Sequence, residues 1–527
     1  MEKKSDLLDG EIEEVVMNKK SIFEIITEHI DTLDIADGEI ISLGNDFHLP
    51  QEEKDGMKFV DGAWDGISIY HMGTPEITDA DLEEIENAVK MASNGIYDEA
   101  DSAFRLVCNR IRTVNFIDEL QHIIVDNAKQ LDASNLFRFA LHLILESDDI
   151  ESIKAGLMIL ELFDHDEDIK KIVRTIGLSD EFTLFSVFLM RKWDNGNTEI
   201  MNLAKAVSGW GKIHAVHYIE PDTDEIKCWL LTEAVSNYVM PAYSGLDCYK
   251  KTDLDELLNR DELTYEEVSG ALAIIDAMLD EGPVPGISTV ENPEVMLVKM
   301  LEHAAKHLPL QPWDCEAVNN ISDWQEENGE DDNPDMEAWI DAILGDPETR
   351  ELISEEVKNG NHIYLAQSIG LPYREELYTA MEKDFEQLYS SCSWLMDDEN
   401  YVEKVIALYR KNMDLNNLQI EVDDSLGLGN ADAGKLDFIL QELKDKQGIG
   451  DDFVIVGLKS PVIRNRNGAL NVLEAWVENN KRPLVKIAPN FYKLLTDIVD
   501  DEKEENIHNR MERLLSGKIS FEDEDND

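Results

Sequence analysis

The sequence predicts a mainly α-helical protein of stacked helical hairpins with a small, irregular, strand-containing N-terminal segment. Three observations carry this. Apolar residues recur at helical spacing through most of the chain, short polar turns separate the periodic stretches, and one small-residue hexamer returns four times. At 527 residues the chain exceeds what a single core supports, so several domains or an elongated array are expected. An apolar fraction of 43% beside 30% charged residues is that of a folded chain.

Residues 1–75 form the N-terminal appendage. A helix is expected around Ser21 to Leu33. The stretch from Gly38 to Gly73 is rich in glycine and turn residues, and its alternating run Ile67-Ser68-Ile69-Tyr70 suits a strand.

Residues 76–310 read as the helical-hairpin array. Thr264 with Glu267 and Asp222 with Glu225 each place a capping side chain three residues ahead of an acid, which marks a helix start. Phe116, Leu120, Ile123 and Ile124 make one apolar stripe, and Ile150, Ile153, Leu157 and Leu160 the next. The hexamer (small, apolar, any, apolar, apolar, acid) occurs as GLMILE at 156–161, AVHYIE at 215–220, ALAIID at 271–276 and ALNVLE at 469–474. Ser147, Ser208 and Ser460 precede three of the four copies. A small residue lets two helices approach closely, and the apolar strip after it supplies a face to bury.

The segments DDIESIKAGLMILELF, GWGKIHAVHYIEPDTDEIKCWLL and SPVIRNRNGALNVLEAW resemble HEAT-type α-solenoids, in which a turn, a polar helix start, a small residue and an apolar strip follow one another. The resemblance implies a non-enzymatic interaction scaffold that binds another macromolecule along one face.

Residues 311–334, QPWDCEAVNNISDWQEENGEDDNP, become strongly acidic and read as an acidic linker or long loop. Residues 335–516 are a second helical group, with helices around 336–344, 374–388, 402–412, 436–443, 470–477 and 491–499. Residues 517–527 read as a disordered acidic tail.

The formal charge of −65, from 112 acidic and 47 basic side chains, opposes direct binding to nucleic acid or an anionic membrane and favours a cationic protein partner. The five cysteines are dispersed, odd in number and without a CxxC pair, so neither a disulfide framework nor a cysteine zinc site is expected. The N-terminus MEKKSDLLDGEIEEVV has no apolar signal segment. The run 136–145 is broken by Arg138 and His142, so no membrane span and a cytoplasmic location are expected.

No catalytic constellation emerges. GNADAGK at 429–435 has P-loop spacing after a possible strand at 418–422, but Leu436 replaces the Mg²⁺-binding hydroxyl and Asp423, Asp424 and Asp432 would repel phosphates, so a glycine-rich helix entry accounts for it better. His303 and His307 are one turn apart, with Ala304 where a hydrolytic zinc site needs its acid. His214, His217 and Glu220 form a second such set, and Glu119/His122 and Glu505/His508 match half of a di-iron pattern. Asp37-Gly38 lacks the alternating acids of a calcium loop. No cofactor is therefore expected.

The segment from Ser208 to Tyr243 is the strongest candidate binding region, because Trp210, Lys212, His214, His217, Glu220, Asn237 and Tyr243 concentrate aromatic and hydrogen-bonding groups there. The same aromatics also serve to seal a hairpin core. Arg464 and Arg466, with Lys481 and Arg482, form a basic island that is either an anion-contact patch or local neutralisation. The function expected is a helical-repeat scaffold or adaptor for a protein with a basic surface. The alternatives are an acidic inhibitor or immunity protein that mimics nucleic acid, and a metal-dependent enzyme with a His/Glu site.

Overall fold

The computed structural model describes residues 20–34, 40–44, 46–50, 59–73, 75–282, 284–328, 333–415 and 431–517. Among these residues the protein is helical throughout, with no strand. The possible strand at 418–422, residues 429–430 of the P-loop-like stretch, Asp37-Gly38 and residues 518–527 of the acidic tail lie outside the described residues.

The chain divides into two compact units, the first running to Ala304 together with residues 324–328, the second taking up Ala305–Asp323 and the described residues from 333 onward. In the first unit the helices are α1 (Ile22–Thr32), α2 (Ala63–Tyr70), α3 (Asp79–Ser93), α4 (Tyr97–Cys108), α5 (Ile117–Asp126), α6 (Ala133–Glu146), α7 (Ile150–Leu160) and α8 (Glu167–Gly177). They continue with α9 (Asp180–Met190), α10 (Gly196–Ala206), α11 (Trp210–Tyr218), α12 (Asp224–Thr232), α13 (Ala242–Lys251), α14 (Leu254–Leu257) and α15 (Tyr265–Leu279).

Helix starts follow local chemistry. Ser21, Thr78 and Thr264 each accept the backbone N–H three residues on, while Glu24, Asp81 and Glu267 reach back to the cap in closed capping boxes. At α12 the cap is Thr223, one residue later than the sequence suggests, and its hydroxyl accepts from Ile226 N.

Consecutive helices pair as α3 with α4, α6 with α7, α8 with α9 and α10 with α11. A second set of contacts runs between hairpins, since α7 packs on α4 and α9, α11 on α9 and α13, and α13 on α15. Helices held on several sides have no polar face, and every residue from Ser152 to Leu160 in α7 is buried. The hexamers explain how the helices close. A Cβ on Gly156 would lie 2.9 Å from Leu143 and 3.0 Å from the Ala140 carbonyl of α6, and Ala215, Ala271 and Ala469 are fully buried.

Two expectations are corrected. Ile67–Tyr70 is part of helix α2 and not a strand: Gly62, Gly66 and Tyr70 recur four apart and turn one side toward Trp210, a period of a helix. The acidic run expected as a linker is largely a helix, Pro312–Asn328. Cys315, Val318 and Ile321 recur three apart and are buried, while most of its acids, Asp314 apart, stay outside the core.

In the second unit every expected helical group is present, as Pro334–Leu344, Arg374–Lys383 with Phe385–Leu388, Glu399–Asn412, Ala431–Glu442, Ile463–Asn480 and Pro489–Ile498. No described helix is long and apolar enough to cross a membrane.

Candidate functional site

The first unit contains a buried charge cluster that joins α2 to the α7–α9 part of the helix row. Lys154 stands in the middle of α7 and is wholly buried. Its ammonium donates to Asp65 Oδ2 of α2 at 2.5 Å, to Glu181 Oε1 of α9 at 2.5 Å and to Glu151 Oε1 one turn back at 3.2 Å. Arg112, on the loop after α4, adds a second cation. Its guanidinium lies 2.7 Å from Glu151 Oε1, 3.4 Å from Asp65 Oδ1 and 3.6 Å from Glu181 Oε1. Backbone donors complete the set, Gly62 N to Glu181 Oε2 at 2.6 Å and Thr113 N to Glu151 Oε2 at 2.8 Å.

Three carboxylates share two cations here, so one negative charge is in excess and the titration behaviour divides accordingly. Burial alone would strip the Lys154 proton, but Asp65, Glu151 and Glu181 hold the ammonium well above its usual range. Burial opposes ionised Glu151 too. Lys154, Arg112 and the Thr113 N–H prevail and hold its carboxyl down to about 2. Asp65 carries the excess: burial pushes it up to about 6, which Lys154 only partly offsets. Unpaired burial of any of these ions would cost several kcal/mol, roughly the scale the pairing must offset.

Beside the cluster lies an aromatic group. Tyr70 of α2 packs with its ring centroid 5.9 Å from Trp210 and 4.9 Å from Tyr243, and Trp210 and Tyr243 are themselves 4.9 Å apart. His71 Nε2 and the Tyr243 hydroxyl are hydrogen-bonded at 2.5 Å. His214, one turn beyond Trp210, is buried with no partner on Nε2, and burial pushes its ring down to about 3, so it is neutral at ordinary pH. Gly66 is required for the contact, because a Cβ there would lie 2.1 Å from the Trp210 ring.

Next to the N-terminus of α11 is a cavity of about 410 Å³. One wall is formed by Ser42–Gly44, Phe47, His48, Val60 and Asp61, the other by Leu178–Asp180, Ala206–Trp210 and Tyr238-Val239. Asp180 Oδ1 accepts from Gly209 N at 3.0 Å and Gly211 N at 2.7 Å, and burial pushes its carboxyl up to about 6 against those bonds.

Of the residues singled out from the sequence, Trp210, His214 and Tyr243 are brought together. Lys212 donates to the Glu233 carbonyl at 3.0 Å, and Asn237 shapes the turn at 235–240 by accepting from Val239 N and Met240 N. His217 is exposed and pairs with Asp247 at 2.8 Å, whereas His214 is buried and Glu220 is exposed. Arg464 and Arg466 belong to the second unit and are occupied internally. Arg464 pairs with Asp437, and Arg466 donates to the Ser460 and Pro461 carbonyls at 2.8 Å and pairs with Glu502 at 2.9 Å. Lys435 of the P-loop-like stretch is likewise held by Glu386 and Asp432.

Among the described residues no three His, Cys, Asp or Glu side chains are arranged to hold a metal. The three carboxylates that converge have the Lys154 ammonium between them. Asp65, Arg112, Glu151, Lys154 and Glu181 were not singled out by sequence reasoning. The available signal was a lysine inside the apolar run IESIKAGLMIL, since a charge in a helix buried all round needs partners. No protein-family model, curated protein or solved structure matches the chain.

Proposed function

We propose that the first unit is a HEAT-like α-solenoid acting as a non-enzymatic adaptor, and that its partner is a protein segment with a basic surface. The observation that carries this reading is the continuous row α4, α7, α9, α11, α13 and α15, each helix packed on the next and most of them backed by a hairpin partner. Such a row makes an extended face whose binding residues come from successive hairpins. The charge of −65 selects a cationic partner and speeds its approach. The free thiols Cys108, Cys228, Cys248, Cys315 and Cys392 suit a reducing compartment such as the cytoplasm.

The test is fluorescence anisotropy of the full chain with a Lys/Arg-rich peptide and its Asp/Glu-rich counterpart, followed by hydrogen exchange of the complex. The basic peptide is expected to bind, more weakly as salt rises, and to protect amides of α9, α11 and α13. Equal binding of both peptides, or protection confined to α6, α8 and α10, overturns the proposal.

A further inference from the structure

We infer that the cavity beside the α11 N-terminus is a receptor for a single lysine or arginine side chain of the partner, held by Asp180 and Asp61 and flanked by Trp210 and Tyr238. This rests on the adaptor reading and goes beyond it, because it names the place and the chemistry of recognition.

Three observations carry it. Among the described residues the lining has two carboxylates and neither lysine nor arginine, so its field favours a cation. The ring of Tyr238 is 75% exposed at the rim although its backbone N–H is fixed to the Ser208 carbonyl at 2.8 Å. An exposed aromatic on a fixed backbone is the usual partner for a passing guanidinium or ammonium. The space of about 410 Å³ is bounded on one side by Ser42–Gly44, Phe47, His48, Val60 and Asp61 and on the other by helix ends and the 238–239 turn, so a long side chain can enter without displacing a core residue.

Asp180 supplies the anchoring charge. Its Oδ1 is committed to the Gly209 and Gly211 amides. Burial opposes its ionisation and leaves its carboxyl at about 6, and an arriving cation would favour the charged form. Among the described residues the charged or titratable groups around it are Glu181, which is already paired with Lys154, Asp61 across the cavity, and the His48 ring on the facing segment. Asp180 also caps α11, and a purely capping role is the competing account. The two separate on substitution, because asparagine keeps the Oδ1 acceptor and removes only the charge.

The experiment measures anisotropy of the labelled Lys/Arg-rich peptide on full-length wild type, Asp180→Asn, Asp61→Asn and Tyr238→Ser, with thermal melts of each. A peptide with citrulline and glutamine in place of arginine and lysine serves as the uncharged probe. Asp180→Asn and Asp61→Asn are each expected to weaken the basic peptide about tenfold, as for a lost charge-assisted contact. Tyr238→Ser is expected to weaken it about threefold, with no change in melting because the ring is exposed. If Asp180→Asn lowers the melting temperature, the other two variants decide. Unchanged affinity in Asp61→Asn and Tyr238→Ser, with wild type still binding, overturns the receptor and leaves the adaptor reading in place. A wild type that binds the charged and uncharged peptides equally overturns both.

Discussion

The Lys154 ammonium lies 2.5 Å from the Asp65 carboxylate, a contact between residues 89 apart in sequence and both almost wholly buried. It ties α2 to α7, and through Glu181 to α9, so one side chain fastens α2 to two helices of the row. Replacing Lys154 by methionine preserves its bulk but leaves Asp65, Glu151 and Glu181 with Arg112 as the one cation in contact among the described residues. The expected cost is about 3–5 kcal/mol in urea unfolding, since an ion stripped of its buried partner is the expensive case. Adding Asp65→Asn to Lys154→Met should recover at least about 1 kcal/mol, because the two share one network. Additive losses would show that the pair is not energetically coupled.

Gly66 makes a second, purely steric prediction. Its Cβ position falls inside the Trp210 indole, with ring atoms at 2.1 to 2.4 Å, so Gly66→Ala must push α2 off α11 or rotate the ring. A loss of about 1–3 kcal/mol with a shift in tryptophan emission is expected. Gly434→Ala is the contrast. The nearest atom to that Cβ is the Tyr389 hydroxyl at 3.8 Å, so the lower chain entropy of alanine should leave stability equal or raised by up to about 1 kcal/mol.

These two sites also show what was legible in the sequence. Capping pairs such as Thr264 with Glu267 and the small positions Gly156 and Ala469 act through neighbours close in sequence or through helical spacing, so they could be read directly. In the sequence Gly62 and Gly66 read as turn residues, because composition does not distinguish a glycine that bends the chain from one that admits an indole. Gly66 does the second inside a helix, and the strand expected at 67–70 was lost with that distinction. The acids of Pro312–Asn328 masked a core stripe in the same way. The Lys154 cluster depends on α2, the loop at Arg112 and α9 meeting at one point, and a partner 89 residues away leaves no periodic trace.

Thiol accessibility gives a prediction independent of the charge cluster. Cys228 on α12 is exposed, whereas Cys108, Cys248, Cys315 and Cys392 are buried. Burial pushes the Cys248, Cys315 and Cys392 thiols up to about 12 and Cys108 further still, so none supplies thiolate at neutral pH. Titration of the native protein with an aromatic disulfide should therefore show one fast equivalent, lost in Cys228→Ser, with the rest released only by denaturant. A second fast equivalent in the native state would mean that the packing opens around one of the buried thiols.

The acid response of the first unit should be set in part by His214. Its ring is held neutral, pushed from 6.5 down to about 3 by burial with His217 and Lys154 adding to the effect, and Nε2 has no partner to lose. The unfolded chain takes up a proton below 6.5 and the folded chain does not until about 3, so the stability tied to this ring is present above 6.5 and drains away as pH falls through that window. At about 1.4 kcal/mol per unit the loss is on the order of 3 kcal/mol by about pH 4. Asp65 and Asp180 act in the opposite direction, because carboxyls raised to about 6 bind protons more readily in the folded state and gain stability as pH falls from 6 toward 3.8. The wild-type curve alone therefore mixes both signs, and the readout is the difference from His214→Phe measured by urea unfolding across the range. That difference should shrink steadily in favour of the variant below about pH 6.5. A constant offset between the two proteins at every pH would show that the imidazole is protonated in the folded state as easily as in the unfolded one.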